Sequence, residues 1–197
     1  MAKGKLFLVS ACSGAGKTSL VTQLVADVGA SCKLERVITY TTKGPRTCEV
    51  PGVDYHFLAH KEFEQKLAEG FFLEWSDAYG AYYGSPRHSV EEVESGKGSR
   101  VLIIDRVGAE KVLSVVPSAI SIWLYTSNFE ELKNRLISRG ADPVDKIESR
   151  LEQAKWEIER EIKYPLYNYH ILNDNFEVAL KELKHIIQVE LDDIAQL

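Results

Sequence analysis

The chain has 197 residues, 45% of them hydrophobic and 27% charged, the composition of a soluble globular protein long enough to bury a sizeable core. Its formal net charge of −5 argues against a general binder of nucleic acid or of membrane surfaces, while leaving room for a local basic pocket. Three cysteines, Cys12, Cys32 and Cys48, lack metal-like spacing and point to a reducing compartment rather than a disulfide framework.

The N-terminal segment has the faint outline of a secretory signal. Its apolar run is too short, and Gly14-Ala-Gly-Lys17 stands where a cleavage region would be. No stretch approaches the roughly 20 apolar residues of a membrane span, so the expected location is the cytoplasm. Leu6–Val9 reads as a buried strand. Ser10-Ala-Cys-Ser-Gly-Ala-Gly-Lys-Thr-Ser19 follows, and Lys17–Ala26 reads as a helix. Strand, glycine-rich turn and helix are what a phosphate-binding loop needs. Glycines let several backbone N–H groups converge on one anion, and the helix start adds its positive end. In this pattern Lys17 reaches the β- and γ-phosphates and Thr18 offers its hydroxyl to Mg²⁺. The first position of the motif, usually glycine, is Ala11. Cys12 reads as a small spacer rather than a nucleophile.

From Arg36 to Gly84 the pattern changes to short strand-like pieces, Val37–Thr41, Tyr55–Leu58 and Phe71–Trp75, with a helix over Lys61–Glu69. Turns at Lys43-Gly-Pro-Arg-Thr47 and Val50-Pro-Gly-Val53 separate them, which predicts an inserted lobe with local antiparallel pairing. The lobe offers Thr39, Lys43, Arg46 and Tyr55, then Glu74, Tyr83 and Ser85. Cations and hydroxyls suit a second phosphate, with Arg46 able to grip it bidentately. A carboxylate such as Glu74 accepts from guanine N1–H and the exocyclic amine, whereas adenine presents an acceptor at N1.

Beyond the lobe, strands at Val101–Ile104, Ile120–Tyr125 and Tyr169–Leu172 alternate with helices at Arg87–Ser95, Ala109–Val115, Phe129–Ser138, Val144–Lys163 and Phe176–Leu191. Alternation from end to end predicts an α/β fold with a parallel sheet. A second, densely charged insertion spans the two helices around Gly140-Ala-Asp-Pro143 and carries Arg135, Arg139, Arg150 and Arg160. Arg135 and Arg139 are four apart and share a helical face. Guanidinium groups closing over a nucleotide there would stabilise a transferring phosphoryl group, although nearby Glu131, Glu148 and Glu152 offer them surface ion pairs instead.

Ser10-Ala-Cys-Ser-Gly-Ala-Gly-Lys-Thr18, Thr41-Thr-Lys-Gly-Pro-Arg46, Gly52-Val-Asp-Tyr55-His-Phe, Phe72-Leu-Glu74-Trp, Gly80-Ala-Tyr-Tyr-Gly-Ser85, Arg135 with Ser138-Arg-Gly140, and Leu172-Asn-Asp174 together resemble the guanylate kinase family, in its order and over about residues 4 to 190. The resemblance implies a P-loop parallel-sheet core with helices on both faces (1–34, 87–126 and 164–197), a small mixed β/α GMP-binding lobe (35–86) and a helical lid (127–163), all in one domain. It implies transfer of the γ-phosphoryl of ATP to GMP, and to dGMP, with Mg²⁺, giving ADP and GDP in purine nucleotide metabolism. On this resemblance Ala11, Cys12, Ser13, Gly14, Ala15, Gly16, Lys17 and Thr18 hold ATP, with Asn173 and Asp174 near its adenine end. Thr39, Lys43, Arg46, Tyr55 and Tyr83 hold the GMP phosphate, and Glu74, Ser85 and Asp105 read guanine or sit near it. Lys17, Arg46, Arg135, Arg139 and Arg150 act on the transferring group. Thr18 binds Mg²⁺, with Asp105 a second candidate through water. Monomer and homodimer both remain open.

Three positions depart from the family pattern. Lys43 stands where the family usually has Arg, which keeps the charge without the planar fork. Ile103 replaces the first of two aspartates that flank one residue, leaving Asp105, and Arg106 and Val107 follow it before Gly108. Cys12 stands where proline is frequent and is a candidate for oxidation. Two other readings share the architecture. A kinase for ribose bisphosphate would have no need of Glu74 and Tyr82-Tyr-Gly-Ser85, and a non-catalytic interaction module would have no need of Lys17 and Thr18.

Overall fold

The structure is a computed structural model that describes residues 4–12, 14–47, 49–78, 80–138 and 144–195. The first strand, β1 (Leu6–Ala11), is buried at all six positions, so both of its faces are covered. The chain turns through the glycine-rich loop into α1 (Lys17–Cys32). That helix runs six residues past the predicted Ala26, since Val25 and Val28 still pack on the core. It ends at Lys33, a left-handed residue whose N–H bonds the carbonyl of Gly29.

Of the stretch expected as one lobe strand, Val37–Thr41, only the last two residues are strand, and Val37 N–H still bonds Val101 O of the core. β2 (Leu34–Arg36) joins the core sheet, where Leu34 and Val37 are buried. Only β3 (Tyr40–Thr41) belongs to the lobe. β4 (His56–Phe57), α2 (His60–Ala68), β5 (Phe72–Ala78) and β6 (Ala81–Pro86) complete the lobe. Its four-stranded sheet has the order β4-β3-β6-β5. β5–β6 and β3–β6 pair antiparallel as expected, but β3–β4 is parallel. Phe63 of α2 stacks on Phe72 of β5 with ring centroids 4.4 Å apart and gives the lobe its own apolar centre.

The chain returns to the core through α3 (His88–Glu94), β7 (Ser99–Ile103) and α4 (Arg106–Val115). α4 starts three residues before the predicted Ala109, because the Asp105 carboxylate caps it by accepting from Gly108 N–H at 2.7 Å. Then come β8 (Ile120–Tyr125), α5 (Phe129–Ser138), α6 (Val144–Lys163), β9 (Tyr169–Leu172) and α7 (Phe176–Ala195). The core sheet has the order β2-β7-β1-β8-β9 and every pair in it is parallel. Helices flank it: α1 packs on α7, and α4 packs on β1 while also reaching β5 of the lobe. Parallel strands point their carboxyl ends the same way. The loop after β1, Asp105 after β7, Thr126 after β8 and Asn173 after β9 therefore gather along one edge, where open α/β sheets bind ligands.

Candidate functional site

The donor half is built on the loop after β1. Gly14 and Gly16 have φ of +86° and +88°, a backbone that side chains rarely adopt. Both also lack space: a Cβ on Gly16 would lie 2.7 Å from Asn173 Nδ2, and one on Gly14 would lie 2.9 Å from Leu132 Cδ1. Leu132 and Leu136 of α5 thus seat that helix directly against the loop. Ala11 belongs to β1, and among the described residues only Lys33 and glycines have positive φ. The missing first glycine is tolerated for that reason. Lys17 Nζ donates to Ala11 O at 2.7 Å, which folds the side chain back over the loop. Thr18 lies in the first turn of α1. Ser13 lies outside the described residues.

Asn173 is 3% exposed and donates from Nδ2 to Ala15 O at 2.6 Å, clamping the loop from β9. Asp174 braces the end of β8, accepting from Thr126 Oγ1 at 2.6 Å and from the Ser127 N–H and hydroxyl. Hydrogen bonds from Ser127 and then Thr126 hold its carboxyl below the usual range. Cys12 is fully buried, and desolvation pushes its thiol up to about 11 against the pull of Lys17. The expected susceptibility to oxidation is therefore opposed by the structure, since the thiolate is the reactive form.

The residues expected to hold the second phosphate and the base lie in the lobe. The β5–β6 register places Glu74 opposite Ser85, and Ser85 Oγ donates to Glu74 Oε1 at 2.6 Å. The other oxygen, Oε2, is buried and accepts no hydrogen bond among the described residues. Burial lifts the Glu74 carboxyl to about 7, with Ser85 pulling it down and Asp105 pushing it up. Asp105 accepts from Ser76 Oγ at 2.8 Å in addition to capping α4. Tyr55 and Tyr83 meet edge to face with centroids 6.2 Å apart, and burial raises both phenols. Thr39 is buried beside β4, accepting at its carbonyl from His56 N–H. Lys43 Nζ sits 4.6 Å over the Tyr55 ring and is held by both oxygens of Glu49, at 2.5 and 2.6 Å. Glu49 also takes the Arg46 N–H at 2.9 Å and lies 3.7 Å from its guanidinium.

Two helices, α5 and α6, carry the arginines. Arg135 of α5 pairs with Glu131 and donates to Asn173 O at 3.2 Å, so it borders the loop. Arg150 of α6 is near enough to act electrostatically on the Tyr83 phenol. Arg139 lies outside the described residues. A cavity of about 160 Å³ opens elsewhere, between β2 and α3 of the core and β3 and β4 of the lobe.

The family model described as guanylate kinase matches residues 3–190. The chain belongs to the guanylate kinase family. It is 40% identical over 187 residues to the guanylate kinase of Shewanella oneidensis, covering 95% of this chain and 88% of that one. The guanylate kinase of Neisseria gonorrhoeae is 37% identical over 185 residues, covering 94% and 87%. The crystal structure of guanylate kinase from Anaplasma phagocytophilum superposes with a TM-score of 0.78 at 25% identity, covering 96% and 87%. The enzyme is thus a nucleotide-binding phosphotransferase, and no described helix is long and apolar enough to cross a membrane.

Within the family frame, the kinase uses ATP and generally needs a divalent metal. No cluster of three or more His, Cys, Asp or Glu side chains exists among the described residues, and Mg²⁺ commonly keeps its waters and takes phosphate oxygens plus one or two protein ligands. Thr18 would hold it directly. Both Asp105 oxygens already accept a hydrogen bond, so Asp105 fits a contact through water. Glu49, which gathers Lys43 and Arg46, is a contact that the sequence did not single out. Its only signal is its place just behind the Lys43–Thr47 turn. The clamp role of Asn173 was equally hidden, since 158 residues separate it from Ala15.

Proposed function

We propose that the enzyme transfers the γ-phosphoryl of ATP to GMP, and to dGMP, in the cytoplasm as a step of purine nucleotide metabolism. The observation that carries this is the buried Glu74–Ser85 pair with its unsatisfied Oε2. A lone buried acceptor beside a bound one matches the two adjacent donors of guanine, N1–H and the exocyclic amine. Adenine would set its own N1 acceptor against it, leaving a buried polar group unpaired at a cost of about 1–3 kcal/mol.

In this reading the loop amides, Lys17 and Thr18 hold the ATP phosphates, with Ser13 completing the loop and Asp174 near the adenine end. Arg46, Lys43, Tyr55, Tyr83 and Thr39 orient the GMP phosphate. One of its oxygens attacks the γ-phosphorus in line, a new O–P bond forms, and the bond from γ-phosphorus to the bridging oxygen breaks to release ADP. Thr18 would hold Mg²⁺, with Asp105 reaching it through water, and the ion would supply positive charge against the charge that develops on the phosphates. Arg135, Arg139 and Arg150 supply charge along the equatorial oxygens, and lid residues 127–163 exclude water that would otherwise accept the group.

A coupled ADP-release assay with GMP, dGMP, AMP and UMP tests the reading. Turnover is expected with GMP and dGMP, to be lost in Lys17→Ala, and to be negligible with AMP and UMP. Equal turnover with AMP would overturn the guanine assignment.

A further inference from the structure

Arg106 follows Asp105 directly and is 6% exposed, although it heads a helix and belongs to a residue type that seldom buries. Each side of its guanidinium is engaged. Nε donates to Glu110 Oε1 at 3.1 Å, Nη2 donates to Tyr164 O at 2.6 Å, and Nη1 donates to Glu161 Oε2. Glu161 in turn accepts from the N–H groups of Leu166 and Tyr167 and contacts His170 Nε2 at 2.9 Å. Arg160 Nη2 reaches the same Glu110 oxygen at 3.0 Å. The last turn of α6 and the connection to β9 are therefore bolted to the first turn of α4.

The N-cap and second turn of α4 also hold the lobe. Asp105 accepts from Ser76 Oγ of β5, two residues from Glu74, and Lys111 Nζ donates to Trp75 O. Two consecutive residues thus grip the acceptor strand on one side and the arginine-bearing helix on the other. A buried ion pair is often no more stabilising than an apolar pair of similar size, so its directional geometry is the informative property.

We propose that Arg106 is a positioning residue that fixes the angle of α6 against the guanine side of the site, so that Arg150 meets the acceptor in register. The inference rests on the ATP-to-GMP reading above. Arg150 lies eleven residues from Glu161, roughly 16 Å along a helix that rises about 1.5 Å per residue. Over that lever, a tilt of about 4° moves Arg150 by about 1 Å, and a misplacement of that size can cost about a hundredfold in rate.

The test is the kinetics of Arg106→Gln and Arg106→Lys, with rates referred to sites counted by binding of a non-hydrolysable ATP analogue. Arg106→Gln is expected to lower kcat at least about tenfold with KM for ATP within about twofold, because the phosphate loop is untouched. Arg106→Lys should recover part of the loss, since an ammonium reaches Glu161 but not Glu110 and Tyr164 O together. Should Arg106→Gln fail to fold, the double variant Arg106→Met with Glu161→Met removes both buried charges and is read in its place. In the wild type, GMP alone should slow amide exchange in α6, and in the variants that effect should vanish. A wild-type kcat per site, or GMP-induced protection of α6 that survives substitution, would overturn the inference. If the wild type shows no GMP-dependent turnover at all, the functional reading falls and this inference with it; normal wild-type turnover beside unaffected variants removes the inference alone.

Discussion

Glu74 carries a cost in the ligand-free enzyme that its partner should relieve. Its carboxyl titrates near 7 in the fold and near 4.5 in the unfolded chain, because burial disfavours the charge. Between those values the folded state binds the extra proton, so this group's contribution to stability falls as pH rises through the window and levels off above it. Glu74→Gln removes the titration. Its Tm is expected to match the wild type near pH 4 and to exceed it at pH 8, by the equivalent of about 3 kcal/mol. Guanine donors favour the ionised form, so GMP binding below pH 7 should release a proton. Calorimetry in buffers of differing ionisation enthalpy measures that release, and its absence would place Glu74 outside the base pocket. Lys43 poses the neighbouring question. Its ammonium is held by both Glu49 oxygens. In Lys43→Arg the planar fork can serve Glu49 and a phosphate at once, and KM for GMP should fall or stay unchanged. A large loss of activity would show that the lysine is matched to this lobe.

At the scale of elements, the sequence was clear where local chemistry decides and silent where distance does. The loop was readable because Gly14, Gly16, Lys17 and Thr18 stand together between an apolar run and a helix. The end of α1 was not, since Gly29 breaks the helical pattern while Gly29 itself packs against Leu34 O. β2 was not foreseen, because three residues, Leu34-Glu-Arg36, are too short to show a pattern and their place beside β7 is set by residues far along the chain. Glu74 and Ser85 became a pair through the register of a hairpin, which the residues alone did not specify. Arg106 and Glu161 are 55 apart, and no spacing rule connects them. Asn173 shows what such a long-range contact does. It joins β9 to the loop through one buried bond to Ala15 O, and Arg135 bonds its carbonyl. Asn173→Ala should cost about 1–2 kcal/mol of ATP binding, a rise of about tenfold in KM for ATP, while KM for GMP stays near the wild-type value. Titration with each nucleotide separately checks the split. Gly16→Ala should be more severe, since φ of +88° and the Asn173 amide both oppose a Cβ.

In the proposed reading the whole molecule carries its donor and acceptor on different sheets. The loop belongs to a five-stranded parallel sheet, and Glu74, Ser85 and Tyr83 belong to a four-stranded mixed one. In the proposed reading, in-line transfer requires the two phosphates to approach to about 3–3.5 Å, so productive binding has to hold both sheets and α6 in one fixed arrangement. A mimic joining adenosine and guanosine through a phosphate chain spans both halves and should impose that arrangement. Buried strands such as β1 already exchange near the global limit and should change little. The β5–β6 hairpin and α6 have exposed faces and should slow by about tenfold or more, because a ligand that binds only the closed state raises the cost of local opening. ATP alone should protect the loop and the start of α1 without the hairpin. GMP alone should protect the hairpin and α6. Protection confined to the loop with the joined mimic would mean that the lobe does not take the acceptor, and that Glu74 is an edge-strand carboxylate buried for packing alone.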